Sequence, residues 1–241
     1  MVHAILSDLH GNLEALEAVL ADLERVRPAS VVCLGDFVGY GASPNECIER
    51  LRPRLAGAVV GNHDYAACGR LPLDLFHPDA ATAARWTGGT LTRENRDYLL
   101  SLPFELQWRG IRLTHAAPAA PAEWRYVLTM EDALEETSAY SERLCFIGHS
   151  HFPCAFDRDQ KQVRYTRAAE IRLAPGHRYL VTVGSVGQPR DGDPRAAYVL
   201  YDEDAAVIRH VRLEYDVTGA MRRIVAAGLP GFLAERLKWG E

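Results

Sequence analysis

This chain of 241 residues lacks the sequence features of a disulfide-bonded, secreted or membrane-spanning protein. Its five cysteines form no C-x-x-C pair and are odd in number, which favours reduced thiols over a disulfide framework. No apolar run approaches the roughly 20 residues of a membrane span. The first residues also lack the basic and apolar regions of a signal peptide. We therefore expect a cytoplasmic protein without a membrane partner.

Positive charge is also scarce in the sequence. The 27 Lys and Arg residues are outnumbered by 32 Asp and Glu residues, and the formal net charge is −5. A basic cluster is missing as well, so general nucleic-acid binding is not expected. The apolar content of 48% is ordinary for a globular protein, and a chain of this length buries a sizeable core without disulfides.

The order of predicted elements indicates an α/β fold. Residues 2–62 alternate strand, helix, strand, helix and strand, which predicts a mostly parallel sheet with right-handed crossovers. Residues 73–102 have a helical pattern that we expect to be interrupted at Gly88-Gly89. A hairpin turns at Arg109-Gly110, and strands dominate from about residue 153 to 216.

The end of the chain returns to a helical pattern. We expect a C-terminal helical segment at about residues 217–241, with a break at Gly228-Leu229-Pro230. The sequence contains no repeat, no low-complexity tract and no obvious linker. The simplest interpretation is a single domain over residues 1–241 with two sheets.

Five short polar motifs each follow a predicted strand. They contain Asp8 and His10 in SDLHGN, Asp36 in GDFVGYG, Asn62, His63 and Asp64 in GNHD, His115 in LTHAAP, and His149 and His151 in GHSH. Ligand sites of α/β sheets form at the carboxyl ends of strands, so these distant motifs can meet there. Residues i and i+2 of an extended strand end point the same way, so Asp8 and His10 can face one metal ion.

The chemistry of the motifs favours a catalytic site with two divalent ions. With His63 and Asp64 set aside, two Asp, one Asn and four His residues offer oxygen and nitrogen ligands but no thiolate, unlike a structural zinc site. These ligands are too many for a single catalytic ion that keeps an open coordination position. They suit two ions roughly 3.5–4 Å apart, the geometry used for in-line displacement at phosphorus. A single motif could be merely a turn or a helix cap, so the prediction depends on all five together.

The five motifs, in this order, resemble those of the calcineurin-like metallophosphoesterase superfamily: D-x-H, G-D, G-N-H-D/E, H and G-H-x-H. The resemblance covers residues 5–151, and GSVGQPRD at residues 184–191 looks like a segment of its small bacterial phosphodiesterase-type members. It implies a two-sheet αββα sandwich. It also implies two divalent ions, with manganese expected first and iron, zinc, nickel or cobalt as alternatives.

The resemblance implies a role for each motif residue. The ligands of the first metal ion would be Asp8, His10 and His151. Those of the second would be Asn62, His115 and His149, with Asp36 bridging both ions. His63 would contact the phosphoryl or leaving oxygen instead of a metal ion, and Asp64 would orient His63.

We expect a hydrolase of a small organic phosphate, with a phosphodiester as the first choice, acting by in-line attack of a metal-bound hydroxide. A nucleotide anhydride, such as a dinucleoside polyphosphate, and a phosphomonoester are the alternative substrates. From another class, a non-catalytic metal-binding scaffold remains an alternative. Such scaffolds typically lose ligand histidines or the counterpart of His63, whereas every position is filled here. The sequence leaves the oligomeric state open.

Two departures from the family pattern affect the choice of substrate. Gly39-Tyr40 stands where protein Ser/Thr phosphatases have an Asp-Arg pair, and no arginine follows His115 closely. Arg190 could reach a phosphate, or it could lie in a solvated turn. We also expect the loop at residues 116–126 to set substrate preference, not metal binding, because loops on a rigid scaffold commonly carry specificity.

Overall fold

Two mixed β-sheets form the centre of the protein in a computed structural model, which describes residues 1–160 and 162–241. The strands are β1 (Val2–Leu6), β2 (Ser30–Cys33), β3 (Leu55–Ala58), β4 (Glu105–Trp108), β5 (Ile111–Thr114), β6 (Leu144–Ile147), β7 (Cys154–Arg158), β8 (Val163–Thr166), β9 (Glu170–Arg172), β10 (Arg178–Thr182), β11 (Ala196–Asp202) and β12 (Val207–Leu213). In these described residues, one sheet has the order β3-β2-β1-β11-β12-β9 and the other β4-β5-β6-β10-β7-β8.

Helices cover the outer faces of both sheets. They are α1 (Leu13–Val26), α2 (Pro44–Leu51), α3 (Asn62–Ala67), α4 (Pro78–Thr90), α5 (Arg93–Ser101), α6 (Met130–Glu136), α7 (Val217–Ala226) and α8 (Gly231–Glu235). In α1, leucines and valines recur at helical spacing and are buried, and the Asn12 side chain caps the helix by accepting a hydrogen bond from Ala15 N at 3.1 Å. In the part of the chain that the structure describes, no helix has the length and hydropathy to cross a membrane.

Apolar side chains fill the space between the two sheets. Ile5 and Val32 of the first sheet and Leu113, Phe146 and Val181 of the second belong to one buried cluster. A second cluster joins the first sheet to α1, α2 and α5, and another joins the second sheet to α6. These layers confirm the predicted αββα sandwich.

Parallel pairing brings the carboxyl ends of the motif-bearing strands together. Strands β1, β2 and β3 pair in parallel in one sheet, and β5 pairs in parallel with β6 in the other. The two edges are also linked directly, because His149 N donates to the Asp8 carboxylate at 3.1 Å. Motifs from both sheets therefore meet at one place.

The predicted interruption at Gly88-Gly89 is wrong. Helix α4 continues through both glycines, and the chain leaves the helix only at Leu91, before the Thr92 hydroxyl caps α5. A Cβ atom at Gly88 would lie 2.6 Å from the carbonyl oxygen of Ala67 in α3. The glycine therefore permits close packing between two helices instead of ending one.

The C-terminal helices pack beside the motif edge. Helix α7 packs against α1. Ile224, Leu233 and Leu237 share a buried cluster with Tyr40, which follows β2, and with Ala83 of α4. The break at Gly228-Leu229-Pro230 falls between α7 and α8, as predicted. This contact carries the end of the chain to the rim of the site described next.

Candidate metal centre

The motif residues converge on two buried carboxylates. Asp36 Oδ2 lies 3.6 Å from His10 Nε2 and 3.4 Å from His115 Nε2. Asp8 Oδ1 lies 3.1 Å from His151 Nε2 and 3.7 Å from His10 Nε2. All five side chains are buried. Five sequence-distant residues thus place their polar atoms in one small volume.

Two groups of donor atoms match the implied partition. The ligand-type atoms of Asp8, His10 and His151 lie within 4.8 Å of one another, as do those of Asp36, His115 and His149. We call these the first and second donor groups. A further group within the same distance joins His63 to His10 and Asp36, so His63 also lies within reach of a metal ion. Asn62 Oδ1 joins the second group, 3.2 Å from His115 Nε2. Asp36 lies between the groups because its Oδ2 atom approaches a histidine of each.

Main-chain carbonyls fix the tautomers of three histidines. The bonds run from Nδ1 of His10 to Val38 O at 3.1 Å, of His115 to Leu34 O at 2.7 Å, and of His151 to Gln188 O at 2.5 Å. A carbonyl oxygen only accepts, so each Nδ1 must carry a hydrogen, and Nε2 is the ring atom left to face a metal ion.

His149 has the opposite arrangement. Its Nε2 donates to the carbonyl oxygen of Trp124 at 2.9 Å, which leaves Nδ1 with the lone pair. The Tyr126 ring stacks on the His149 ring, with centroids 4.0 Å apart and planes at 16°. The loop at residues 116–126 therefore holds a candidate metal ligand. Our expectation that it takes no part in metal binding is not supported by these contacts.

The charges of the centre suit cations. Asp8 Oδ2 accepts from His149 N, whereas Oδ1 is buried without a hydrogen-bond partner in the described residues. Burial would raise the pKa of Asp8, but His151, His10 and His115 hold it well below its usual value. Burial likewise lowers the pKa of His115, yet Asp36 and Asp8 raise it to about 9. Two ionised carboxylates that favour positive charge, together with four ring nitrogens at which a metal ion can replace a proton, fit a pair of divalent ions.

The backbone of the motifs is left-handed, not extended. Positive φ angles occur at Asp8 (56°), His10 (50°), Asp36 (52°), His149 (65°) and His151 (63°). The extended geometry that we expected for Asp8 and His10 is therefore wrong, although their side chains do share one group. Each such non-glycine residue costs roughly 1–3 kcal/mol, which persists only where the surrounding structure enforces it.

His63 and Asp64 lie in the first turn of α3, so their segment is also not extended. The His63 ring lies 5.0 Å from the His10 ring, and its Nδ1 has no hydrogen-bond partner in the described residues. The Asp64 carboxylate accepts from Val38 N at 3.2 Å and Gly61 N at 3.0 Å. Asp64 thus ties two motif loops together and forms no hydrogen bond to His63, contrary to the orienting role implied by the resemblance. Burial and the charge of Asp36 raise its pKa to about 8.

A cavity of about 460 Å³ opens over Asn62, His63 and His149. Its walls carry four aromatic side chains, Tyr40, Phe76, Trp124 and Tyr126, and two cations, Arg190 and Arg236. Tyr40 packs close to the donor groups, with its ring 4.6 Å from His10 and 4.4 Å from His63. The candidate centre therefore faces a space large enough for a small organic molecule.

Some supporting residues have little signature in the sequence. The carbonyls of Trp124 and Gln188 hold histidines, and a main-chain acceptor has no side-chain signature. Gln188 belongs to the GSVGQPRD segment, where Val186 N and Gly187 N donate to the carbonyls of Ser7 and Asp8. A Cβ atom at Gly187 would lie 1.8 Å from Leu9 O. That glycine was the available signal of a close backbone approach.

The sequence pattern of the calcineurin-like phosphoesterase superfamily domain matches residues 1–206. The chain therefore belongs to this superfamily of metal-dependent phosphoester hydrolases, as the five motifs indicated. The match covers most of the chain, including every motif residue.

Three proteins align with nearly the whole chain. An uncharacterized protein of Methanocaldococcus jannaschii is 41% identical over 241 residues, covering 98% of this chain and 97% of that protein. A crystal structure of a metallophosphoesterase from Sphaerobacter thermophilus is 38% identical with a TM-score of 0.90, covering 100% of this chain and 99% of the other. A hypothetical protein from Pyrococcus horikoshii, 20% identical with a TM-score of 0.81 over 100% and 98% of the two chains, shares the fold.

Proposed function

We propose that this protein hydrolyses a phosphodiester of a small organic molecule with the help of two divalent ions. The observation that carries the proposal is the position of Asp36, whose buried Oδ2 atom lies between a histidine of the first donor group and one of the second. A shared carboxylate of this kind can bridge two ions. Manganese is our first choice of metal. The cytoplasm is our proposed compartment.

The protein's own residues would orient the ions and the substrate. When bound, two divalent ions neutralise phosphoryl charge and activate water near neutral pH. The hydrogen bonds from Nδ1 to main-chain carbonyls orient these histidines so that their Nε2 atoms face the metal centre. Burial holds the pKa of His63 well below its usual value, so its neutral imidazole can donate a hydrogen bond to the phosphoryl or leaving oxygen.

The cavity favours a diester over a phosphoprotein. Aromatic rings around the mouth suit an organic substituent on phosphorus, and about 460 Å³ exceeds what inorganic phosphate alone would fill. Tyr40 occupies the position of the arginine in protein Ser/Thr phosphatases and packs on His10 and His63. We therefore expect no useful turnover of phosphoserine peptides. A nucleotide anhydride remains the second candidate, because the same rings could stack on a base.

A substrate panel tests this proposal. Manganese-supplemented protein would be assayed with a nitrophenyl phosphodiester, a nitrophenyl monoester, a dinucleoside polyphosphate and a phosphoserine peptide. We expect the highest kcat/KM with the diester. Preference for the anhydride would replace the diester by the second candidate. Full metal content without turnover of any substrate would favour a non-catalytic scaffold.

A further inference from the structure

Two arginines from separate parts of the chain line the cavity over His63. Arg190 follows β10 in the GSVGQPRD segment, and Arg236 follows α8 in the C-terminal segment. Neither belongs to the motifs that define the donor groups. Two positively charged side chains thus border a site whose carboxylates favour metal cations, and their role there needs a separate explanation.

Arg190 lies one aromatic ring away from the donor groups. Its Nη2 donates to the Tyr40 hydroxyl at 3.0 Å and to Gln188 Oε1 at 3.2 Å. Its guanidinium carbon lies 5.7 Å from the centre of the Tyr40 ring, which packs on His10 and His63. The Nε atom is buried and has no hydrogen-bond partner in the described part of the chain. Arg190 therefore keeps an unused donor near the centre.

Arg236 is close enough to Arg190 for their charges to interact. Burial lowers the pKa of the Arg236 guanidinium, and the positive charge of Arg190 lowers it further. Its Nε donates to the main-chain oxygen of Glu241. Leu233 and Leu237, on either side of Arg236 in the chain, are buried in the cluster that contains Tyr40, so the position of Arg236 is fixed by the core.

Neither guanidinium has an acidic side chain as an ion-pair partner in residues 1–160 and 162–241. The acidic side chain on the same cavity, Glu123, lies 3.5 Å from Arg125 instead. A buried charge elsewhere in this protein is paired: Asp191 lies within ion-pair distance of both Arg167 and Arg212. Glu241 and Asp79 offset part of the charge of Arg236 without forming an ion pair with it. The two guanidinium charges in one partly desolvated cavity still repel each other, and an anion between them would relieve that repulsion.

We propose that Arg190 and Arg236 form a subsite for a second anionic group of the substrate, separate from the scissile phosphate. The group would be an oxyanion, a carboxylate or a further phosphate, because guanidinium forks bind such groups with charge-assisted hydrogen bonds. This inference rests on the proposed phosphodiesterase function. It narrows the substrate to an ester of phosphate that carries another negative charge on its organic part.

Two chromogenic diesters test the subsite. One is nitrophenyl 3-carboxypropyl phosphate and the other its carboxyl methyl ester, so the leaving group is identical and the main difference is one charge. We expect wild-type protein to prefer the carboxylate. Arg236→Gln should lower kcat/KM for the carboxylate roughly 10–100-fold and leave the neutral ester within a few-fold. An unchanged ratio of the two substrates in Arg236→Gln would overturn the subsite.

The chain offers matched controls for this experiment. Arg236→Lys keeps the charge and should restore part of the preference. Arg222→Gln removes an exposed arginine of α7 that lines a separate surface groove, so it should leave the ratio unchanged. A loss of preference in Arg222→Gln equal to that in Arg236→Gln would show that net charge, and not the subsite, is responsible.

Binding gives a second measurement that is independent of turnover. Manganese-loaded protein would be titrated calorimetrically with 3-carboxypropyl methylphosphonate and with its carboxyl methyl ester, which lack the nitrophenyl group. Tighter binding of the carboxylate that Arg236→Gln abolishes supports the subsite. Equal affinities in wild-type protein contradict it. If neither nitrophenyl diester is hydrolysed, the proposed function fails, and these titrations still decide the subsite.

Discussion

The two donor groups of the metal centre are held by different kinds of structure. In the first group, His10 and His151 donate to the carbonyls of Val38 and Gln188, which lie in buried loops at the sheet edge. These loops are bonded to the segment after β1, since Gly187 N donates to Asp8 O. The core itself therefore holds the first group.

The second group depends partly on the rim of the cavity. His115 is anchored within the core by the carbonyl of Leu34, but His149 donates to Trp124 and stacks on Tyr126. The Tyr126 side chain is 48% exposed. Trp124 itself has a positive φ of 57°, a conformation that its neighbours must enforce. We therefore expect an ion at the second group to be held less firmly, with an affinity that responds to changes at the rim.

Removal of the shared carboxylate should have the largest effect, because it acts on both groups. Asp36→Ala is expected to reduce bound metal from about two ions per chain to nearly none. Elemental analysis after dialysis measures this. Asp36→Asn keeps the oxygen that accepts from His63 N at 2.8 Å but loses the charge, so it serves as the folded control. A wild-type protein that is active with a single tightly held ion would contradict the two-group description.

His63 borders the first group without belonging to it in our assignment. His63→Ala should retain both ions and lose roughly 10²–10³-fold in kcat for alkyl esters, because it removes a hydrogen-bond donor to the oxygen on which charge develops. Nitrophenolate carries its charge without such a bond, so its esters should show a much smaller defect. His77→Ala, an exposed histidine on the same cavity, is the control. Loss of metal in His63→Ala would instead make His63 a ligand.

The carbonyl of Trp124 offers a way to weaken one group alone. Trp124→Pro fixes φ near −65° and must displace the carbonyl, whereas Trp124→Gly tolerates the positive φ and can retain it. We expect the proline variant to bind the second ion roughly 10–100-fold more weakly and the glycine variant to be affected less. Chelator competition resolves the two ions. Equal weakening of both ions in Trp124→Pro would remove the distinction between the groups.

The smallest effect is expected from the stacked ring at the rim. Tyr126→Ala removes an aromatic contact worth about 0.5–1.5 kcal/mol and should weaken the second ion roughly 2- to 10-fold. Tyr126→Phe preserves the stacked ring and should bind both ions like the wild type. Its comparison with Tyr126→Ala in the same chelator titration separates stacking from any role of the hydroxyl. A defect as large in the phenylalanine variant would assign the effect to the hydroxyl.

The motif residues show how far local sequence pattern reaches. Strand-end positions predicted that Asp8, Asp36 and His115 would meet. Parallel pairing brings the ends of β1 and β2 together in one sheet, and the packing of the second sheet against it adds the end of β5. The pattern failed where neighbours decide the conformation. Glycine at position 88 predicts a helix interruption, whereas in the structure it permits close packing of α4 against Ala67. The family pattern implies that Asp64 orients His63, whereas the Asp64 carboxylate accepts hydrogen bonds from the amides of Val38 and Gly61.

The sequence by itself determined the family, the two-sheet fold and the set of candidate metal-binding side chains, because motif chemistry and strand periodicity are local properties. Tertiary structure alone decided how these side chains are held. The left-handed turns, the carbonyls of Trp124 and Gln188, and the presence of Arg190 and Arg236 on one cavity all depend on segments that are distant in the chain. A main-chain oxygen or an unpaired charge has a function only through what folding places beside it, and no local pattern records that.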